Sequence, residues 1–485
     1  MKQDKSIKIK FRQFIFQKQQ LSDLIIIAAI CLLGYIAIKY FYPYPWTMSD
    51  SGGYVICAMD NAWSFYRPFG YSKFLQILHA ISPTISFLTL VQMLLYLVST
   101  SIFALTVKFF FTPNRKWLWY SLLCFLSFSP LAFYMINSIM SDLLFCTLIY
   151  FILTGFLFIV NRNWTGVIIF SLALYFSLHV RYSAIIFPFL FIPFLFFIKG
   201  NIRWVSILAS LAISFIFYNQ IKSNMKETMN LNQFSTGFDG WQYANNAMHI
   251  VPFIDVKPEE IKDEQIRGLH KFILQYNDSI LARTKNGTGV SARFIWENTL
   301  PLKKYMFLTM QQNYLTYPHA WVNLGSGLYK DYGKYLMIHY PFAFMRYYLL
   351  PNMVNIVHPN FWVEYKNIEI KEIKEWYNID EKKDLSCRAN IYDSFLYNLI
   401  SISHIFIWIG IIIVSIIAII KRKRIKFNKN ERIAFWALFC FGAIYYASTV
   451  FASPIELRYW LPMAAIQFAF CYILLNKLSV KTQTK

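Results

Sequence analysis

Long apolar runs separated by short polar turns dominate the chain. The first run covers 24–42, and most of the others have a similar length. A helix crosses the hydrocarbon layer of a membrane with about 20 mostly apolar residues, so this pattern predicts ten membrane-spanning helices. They are expected at 24–42, 84–111, 117–136, 142–160, 165–180, 183–199, 204–220, 396–420, 433–451 and 459–476.

The apolar runs divide the chain into three parts. Residues 1–220 form a membrane module of seven helices whose first outer loop is 43–83, 221–395 form a long polar region, and 396–485 hold the last helices and a basic tail. The expected fold class is an all-α polytopic membrane protein of about ten transmembrane helices. It has an interfacial first outer loop and a mixed, mainly α extracytoplasmic region.

One stretch of the polar region, 335–357, is itself apolar. It is interrupted by His339, Pro341, Arg346 and Pro351. Charged residues and prolines at such positions favour a segment lying at the membrane surface or buried in protein over a spanning helix.

Composition supports the membrane interpretation. Hydrophobic residues make up 57% of the chain and charged residues only 15%, whereas soluble domains carry about 25% charged residues. The net charge of +22 comes from 47 Lys and Arg against 25 Asp and Glu. In a soluble protein such a charge would suggest nucleic acid as a partner. Here the basic residues cluster between the apolar runs, so membrane lipids are the expected partner and nucleic acid is not.

The placement of basic clusters predicts the orientation, because cytoplasmic loops are enriched in Lys and Arg. The strongest cluster is Lys421-Arg422-Lys423-Arg424, and a basic N-terminal flank precedes the first run. We expect both termini and 421–432 in the cytoplasm, 221–395 outside, and an uncleaved first helix. A composition rich in Ile, Lys, Asn and Phe hints at an AT-rich bacterial genome. The expected location is therefore a bacterial cytoplasmic (inner) membrane.

Polar residues with catalytic potential recur at the outer ends of the predicted helices. They are Asp50 and Tyr54 after the first helix, Arg67 in Arg67-Pro68-Phe69-Gly70, Asp142 in Ser141-Asp142, Arg181 in His179-Val180-Arg181-Tyr182, and the closing Glu456-Leu457-Arg458-Tyr459-Trp460-Leu461-Pro462.

These elements, in this order, resemble the polytopic glycosyltransferases of the GT-C fold. That family includes the protein O-mannosyltransferases and the lipid A aminoarabinose transferase. The resemblance covers about 1–220 and 396–476, and 221–395 is similar only in its placement. It implies transfer of a sugar from a polyprenyl-phosphate donor, at a site facing outward.

The residue types fit that chemistry independently. A carboxylate acts as a general base on the attacking nucleophile, and Arg guanidinium groups grip phosphate oxygens. Asp50 and Asp142 are the candidate catalytic residues, Asp50 being the general base. Arg67, Arg181 and Arg458 are the candidate ligands of the donor phosphate. Candidate substrate-binding residues are Tyr54, Glu456, Tyr459 and Trp241.

Structural alternatives stay open for each of these residues. Asp50 could cap a turn, Asp142 could cap the following helix, and Arg67 and Arg458 could reach lipid headgroups. Arg181 could pair with a buried carboxylate. Trp241 belongs to the aromatic and polar run 238–246, which either stacks on a sugar or packs as a loop.

Cofactor signals are weak. The sequence contains no Walker pattern, and His249, His270, His319, His339 and His358 are scattered without a zinc-binding spacing. No cofactor is firmly implied, although a divalent metal is compatible with the carboxylates. Of the seven cysteines, Cys57 and Cys387 are the pair placed for an outer disulfide.

Three functions fit these patterns. The first is an integral-membrane glycosyltransferase acting on a protein, lipid or glycan acceptor. The absence of a Trp-Trp-Asp signature argues against oligosaccharide transfer to Asn. The second is a surface-polysaccharide polymerase or ligase. The third is a non-enzymatic lipid or solute transporter, which predicts charges near the middle of the membrane.

Overall fold

The computed structural model describes residues 11, 13–64, 66–290, 294–355, 371–380 and 393–479. Its regular elements within these ranges are helices, and its one β-bridge joins Trp46 to Ser138. The chain is thus an all-helical, multi-pass membrane protein. Cys387 and His358 lie outside the described residues, so a bridge between Cys57 and Cys387 would fall outside them as well.

From Lys18 onward, the described part of the N-terminal module forms ten α-helices. They are α1 (Lys18–Phe41), α2 (Ser49–Met59), α3 (Gly70–Ile81), α4 (Ile85–Phe110), α5 (Lys116–Ser127), α6 (Pro130–Ile136), α7 (Ser141–Val160), α8 (Trp164–Val180), α9 (Phe187–Leu195) and α10 (Asn201–Met229).

The polar region and the C-terminal part contribute the rest. They contain α11 (Phe238–Met248), α12 (Glu264–Leu274), α13 (Asn277–Arg283), α14 (Pro301–Asn313), α15 (Tyr317–Ser326), α16 (Leu328–His339), α17 (Pro341–Phe344), α18 (Leu350–Val354), α19 (Lys371–Trp376), α20 (Asp393–Ile420), α21 (Lys429–Ala452) and α22 (Met463–Leu478).

Each of the ten predicted spans corresponds to helix. By length and composition, seven helical segments among the described residues are long and apolar enough to cross a membrane, and three further apolar segments are shorter. The shorter ones are α8, the segment Tyr182–Leu195 and α22. The stretch 335–355 is broken into short helices and is not one of the seven, in agreement with the prediction for it.

Some boundaries differ from the prediction for local chemical reasons. The run 117–136 is divided into α5 and α6, because Ser129 accepts a hydrogen bond from the amide of Ala132 and Pro130 occupies the first turn, a strong start signal for a new helix. Helix α10 has 29 residues and is about 44 Å long at 1.5 Å per residue. It exceeds the hydrocarbon thickness of about 30 Å and carries the chain directly into the polar region.

Small residues allow the closest helix contacts. A Cβ atom added at Gly155 of α7 would lie 2.6 Å from the amide nitrogen of Phe170 in α8. In the polar region, a Cβ at Gly240 of α11 would lie 1.7 Å from the carbonyl oxygen of Gly325 in α15. Backbones this close leave no room for larger side chains. The short distance between the two helices of each pair therefore depends on the glycine.

The helix ends gather at two opposite poles. At one pole, the amide of Asn114 bonds to the Asn476 side chain (2.7 Å), and the Lys477 ammonium contacts Glu431 (2.7 Å). The basic run 421–424 follows α20 at this same pole. At the other pole lie the starts of α2 and α7, the end of α8 and the turn between α21 and α22, which together carry the candidate site.

Candidate functional site

Three arginines and three carboxylates meet where these helix ends converge. Ion pairs link Asp50 to Arg67, Asp142 to Arg181 and Glu456 to Arg458, and Arg458 also approaches both aspartates. The structure thus brings together residues that the sequence spreads from position 50 to position 458. We call this group the arginine–carboxylate cluster.

Asp50 is in the first turn of α2. One carboxylate oxygen accepts a hydrogen bond from Arg67 Nη2 at 2.9 Å, and the other lies 3.9 Å from Arg458 Nη1. The N-cap position of α2 is Met48 rather than Asp50. The side chain is 33% exposed, which leaves the carboxylate accessible to a substrate.

Asp142 is in the first turn of α7 and is almost completely buried, with 1% of its side chain exposed. Its Oδ1 accepts a hydrogen bond from Arg181 Nη1 at 2.7 Å. Its Oδ2 lies 3.9 Å from Arg458 Nη1 and has no hydrogen-bond partner among the residues that the structure describes. Met140 holds the N-cap position of α7. The Asp142 carboxylate therefore faces the guanidinium groups of Arg181 and Arg458.

Arg458 is the central cation. It lies in the 3₁₀ turn Leu457–Trp460 between α21 and α22, where its Nε donates to Glu456 at 2.5 Å. Its Nη1 is 3.9 Å from both Asp50 and Asp142. Since both distances exceed a normal hydrogen bond, this guanidinium keeps donor capacity for a further anion.

Tyrosine rings pack against the guanidinium groups of the three arginines. The guanidinium of Arg67 lies 4.8 Å from the ring centre of Tyr54, whose hydroxyl pairs with Ser141 at 3.0 Å. The ring of Tyr459 is 5.5 Å from Arg181 and 5.2 Å from Arg458. Contacts of this kind favour the cationic state.

The charges control the protonation of Asp50. Burial alone would raise the pKa of the Asp50 carboxyl, but the positive charges of Arg67 and Arg458 outweigh it and hold the pKa below its ordinary value. Asp50 is consequently a carboxylate at neutral pH, as a general base must be.

Buried amides fix the two aspartates relative to each other. The Asn137 side chain donates to the carbonyls of Tyr42 and Tyr44, at 3.0 and 3.1 Å, and the Gln92 side chain donates to those of Ile136 and Ser138, at 2.7 and 3.1 Å. Together with the 2.8 Å bond from the amide of Trp46 to the carbonyl of Asn137, they join the segment before α2 to the segment before α7.

A third buried amide holds the turn that carries Arg458. Asn352 of α18 donates to the carbonyls of Val450 and Ser453 and accepts from the amide of Ile455, each at 2.8 Å. Neither Asn352 nor Gln92 was identified from the sequence. Each is a polar residue within an apolar run, Gln92 in 84–111 and Asn352 in 335–357, which is a usable signal.

Trp241 lies outside the arginine–carboxylate cluster. It is 1% exposed and packs in α11 against Trp321, with ring centres 4.7 Å apart. Its ring therefore supports other aromatic side chains and does not itself face the surface.

The cluster does not have the composition of a metal site. Within the described ranges, no group of three or more His, Cys, Asp or Glu side chains is placed to hold a metal ion. Each carboxylate here faces a guanidinium instead, and a divalent cation would have to replace those ion pairs.

Comparisons with known proteins give few matches. No family model and no curated protein matches the chain. Among solved structures, the apo oligosaccharyltransferase of Archaeoglobus fulgidus is similar at 14% identity and a TM-score of 0.45. The oligosaccharyltransferase AglB of Archaeoglobus fulgidus, in complex with an inhibitory peptide and a dolichol-phosphate, is similar at 12% identity and a TM-score of 0.44. Each similarity covers 95% of this chain and 50% of the other, so the chain spans about half the length of those proteins.

Proposed function

We propose that the protein is an integral-membrane glycosyltransferase that moves a sugar from a polyprenyl-phosphate donor to an acceptor outside the cytoplasm. The observation that carries this proposal is the convergence of three arginines on two aspartates at one pole of a membrane bundle. A lipid-phosphate donor keeps its tail in the bilayer, so its phosphate is held at the depth of helix ends.

The arginines suit the donor phosphate. Arg458 has Nη1 at 3.9 Å from two carboxylates and is therefore not saturated with short hydrogen bonds. Arg67 and Arg181 lie on either side of it, against Asp50 and Asp142. A phosphate approaching Arg458 would gain charge-assisted hydrogen bonds and would share the positive charge that otherwise neutralises the carboxylates.

Asp50 is the proposed general base. The acceptor hydroxyl gives its proton to the Asp50 carboxylate while its oxygen forms the new bond to the anomeric carbon of the sugar. The bond from that carbon to the phosphate oxygen breaks, and the polyprenyl phosphate leaves with its electron pair. The sugar inverts, because the attack comes from the face opposite the leaving group.

Donor binding also tunes the base. Without donor, the arginines hold the pKa of Asp50 low, which keeps it ionised but makes it a weak proton acceptor. When a phosphate draws Arg458 and Arg67 toward itself, their attraction for Asp50 decreases and the pKa of Asp50 rises. The base thus gains strength only when the donor is present.

Asp142 has a different proposed role. Its burial and its 2.7 Å bond to Arg181 suit a residue that orients the phosphate-binding arginines. Asp50 is the more exposed of the two and the better placed for a mobile acceptor.

The decisive experiment measures transfer of labelled sugar from a synthetic polyprenyl-phosphate donor by the purified protein in nanodiscs. Asp50→Asn should lose about 10²–10⁴ in turnover, the usual effect of removing a general base, while donor binding persists. Asp60→Asn is the matched control, because Asp60 is an exposed carboxylate just after the same helix. Full turnover by Asp50→Asn would refute the proposal.

A further inference from the structure

A layered group of tryptophans lies in the polar region next to the candidate site. The rings of Trp296 and Trp321 are parallel within 4°, with centres 6.2 Å apart. Trp241 packs beneath them, 4.7 Å from Trp321 and 6.3 Å from Trp296. Trp321 and Trp241 are buried, whereas Trp296 is 45% exposed. Core packing explains the two inner rings but not the outer one.

The layer continues to the proposed general base through one aromatic residue. The ring of Tyr66 is 6.3 Å from that of Trp321, and the guanidinium of Arg67 lies over Tyr66 at 4.5 Å. Arg67 in turn bonds to Asp50 at 2.9 Å. Trp296 is thus connected to Asp50 through packed side chains, and it is the tryptophan of this group that is exposed to a bound molecule.

A polar pair follows directly after the ring on which the exposed indole stacks. Phe238 of α11 stacks against Trp296 with ring centres 6.3 Å apart, and the next residue, Asp239, forms an ion pair with Lys330 at 2.7 Å. The Ser235 hydroxyl donates to Asp239 at 2.7 Å. Asp239 and Lys330 are 38% and 28% exposed, so both can exchange hydrogen bonds with a bound molecule.

Side-chain contacts hold the backbone of Trp296 and the side chain of its neighbour Glu297. Arg283 of α13 donates to Glu297 through Nε at 2.9 Å and through Nη2 at 2.6 Å, and Lys303 donates to the Trp296 carbonyl at 2.9 Å. Because the backbone at Trp296 and Glu297 is already restrained, a ligand that binds the indole loses little conformational entropy in ordering it.

We propose that Trp296, with Asp239 and Lys330, binds a carbohydrate acceptor, so that the protein glycosylates a growing glycan. This inference rests on the proposed function. The apolar face of a sugar ring carries C–H bonds that are attracted to the negative face of an indole, while its hydroxyls need donors and acceptors at the rim. A purely apolar occupant, such as a lipid chain, would displace the water around Asp239 and Lys330. It would offer no hydrogen bonds in place of those that the two side chains make with that water.

Binding can be tested apart from catalysis. The probe is an array of hexose, deoxyhexose and N-acetylhexosamine oligomers, applied to the purified protein in nanodiscs with no donor present. We expect binding to a subset of these glycans that is about tenfold weaker for Trp296→Ala and largely retained by Trp296→Phe, which keeps an aromatic face. Tyr314→Ala is the control, because Tyr314 is 96% exposed in the same region.

The outcomes separate the two proposals. Asp50→Asn should bind the same glycans as the unmodified protein, since it acts in transfer and not on this surface. Two results would overturn the acceptor site while leaving the transferase proposal intact. The first is that no glycan binds. The second is that Trp296→Ala binds glycans as well as the unmodified protein does, with thermal unfolding showing that this variant is folded. The acceptor site would also be overturned if peptides bound in a way that requires Trp296 while the binding of glycans did not require it.

Discussion

Asp50 and Arg458 lie near opposite ends of the sequence, yet their side chains are 3.9 Å apart in the folded protein. The first belongs to the loop after the first membrane helix, and the second to the turn before the last. The bundle must close completely for this contact to form. A reaction centre built on both residues therefore exists only in the fully folded chain.

Arg458 is the residue whose loss should weaken donor use most. Arg458→Ala removes the guanidinium that lies between Asp50 and Asp142, and a charge-assisted contact to phosphate is worth about 1.5–3 kcal/mol. We expect the transfer rate at limiting donor to fall at least about tenfold. Lys should restore only part of it, because an ammonium lacks the planar pair of donors. Unchanged donor dependence in both variants would exclude Arg458 from the phosphate site.

The buried pair of Asp142 and Arg181 should behave as one unit. Asp142→Asn leaves Arg181 without its 2.7 Å anionic partner, so we expect lower thermal stability in detergent, by about 1.5–3 kcal/mol. Adding Arg181→Gln removes the unpaired charge and should recover much of the stability but none of the transfer activity. Independent, additive effects of the two substitutions would contradict this coupling.

The pH dependence of the transfer rate should reflect the positive charge of the arginines around Asp50. The pKa of Asp50 is lowered in the folded protein, so the active carboxylate persists as the pH falls and is lost only below the ordinary aspartate range. For the same reason, the stability gained from Asp50 is present above its unfolded pKa and is lost as pH falls through the folded one.

Removing one arginine should therefore shift the acid limb. Arg67→Gln takes away the strongest positive neighbour of Asp50, and the acid limb of kcat/KM, which reports the free enzyme, should move to higher pH. The measurement is the rate from about pH 3 to pH 8, so that it extends below the ordinary aspartate pKa. Lys73→Gln is the control, since Lys73 bonds to Asn61 and Gln76 instead. An identical acid limb in wild type and Arg67→Gln would exclude Asp50 as the titrating base.

The sequence predicted the membrane helices because apolar length is a local property. It also identified Asp50, Asp142 and Arg458, since charged residues beside apolar runs are conspicuous. Which of them would touch depended on how the helices pack, and on buried amides such as Gln92 and Asn352 whose partners are backbone carbonyls. Trp241 was identified for its aromatic setting, but only packing shows that Trp296 is the exposed ring of that group.

The orientation of the bundle is a separate prediction. Helix α20 leads from the end of the polar region to the basic run 421–424, and the excess of Lys and Arg in that run predicts a cytoplasmic location for it. Reporter fusions at Lys285 and Lys426 should give opposite compartments, with Lys285 outside. The same compartment for both would contradict the proposed outward-facing site.

Asn352 should act on transfer through Arg458. Its side chain makes three hydrogen bonds of 2.8 Å to the backbone at Val450, Ser453 and Ile455, immediately before Glu456 and Arg458. Asn352→Ala releases this turn, and the guanidinium then loses its fixed position relative to Asp50. Because loosely held catalytic groups lose rate steeply, we expect kcat to fall about tenfold or more, with little change in the KM for the acceptor.

The neighbouring Asn355 provides the matched control for this positioning role. It donates to the carbonyl of Val290 at 3.2 Å and has no hydrogen bond to the 450–455 backbone. Asn355→Ala should therefore lose some thermal stability, less than Asn352→Ala, which removes three hydrogen bonds, and should keep its turnover. Asn352→Asp retains the acceptor for Ile455 but replaces the two donor contacts by repulsion between oxygens, so it should be at least as slow as Asn352→Ala. Equal turnover losses in the Asn352 and Asn355 variants would show that both residues serve stability alone.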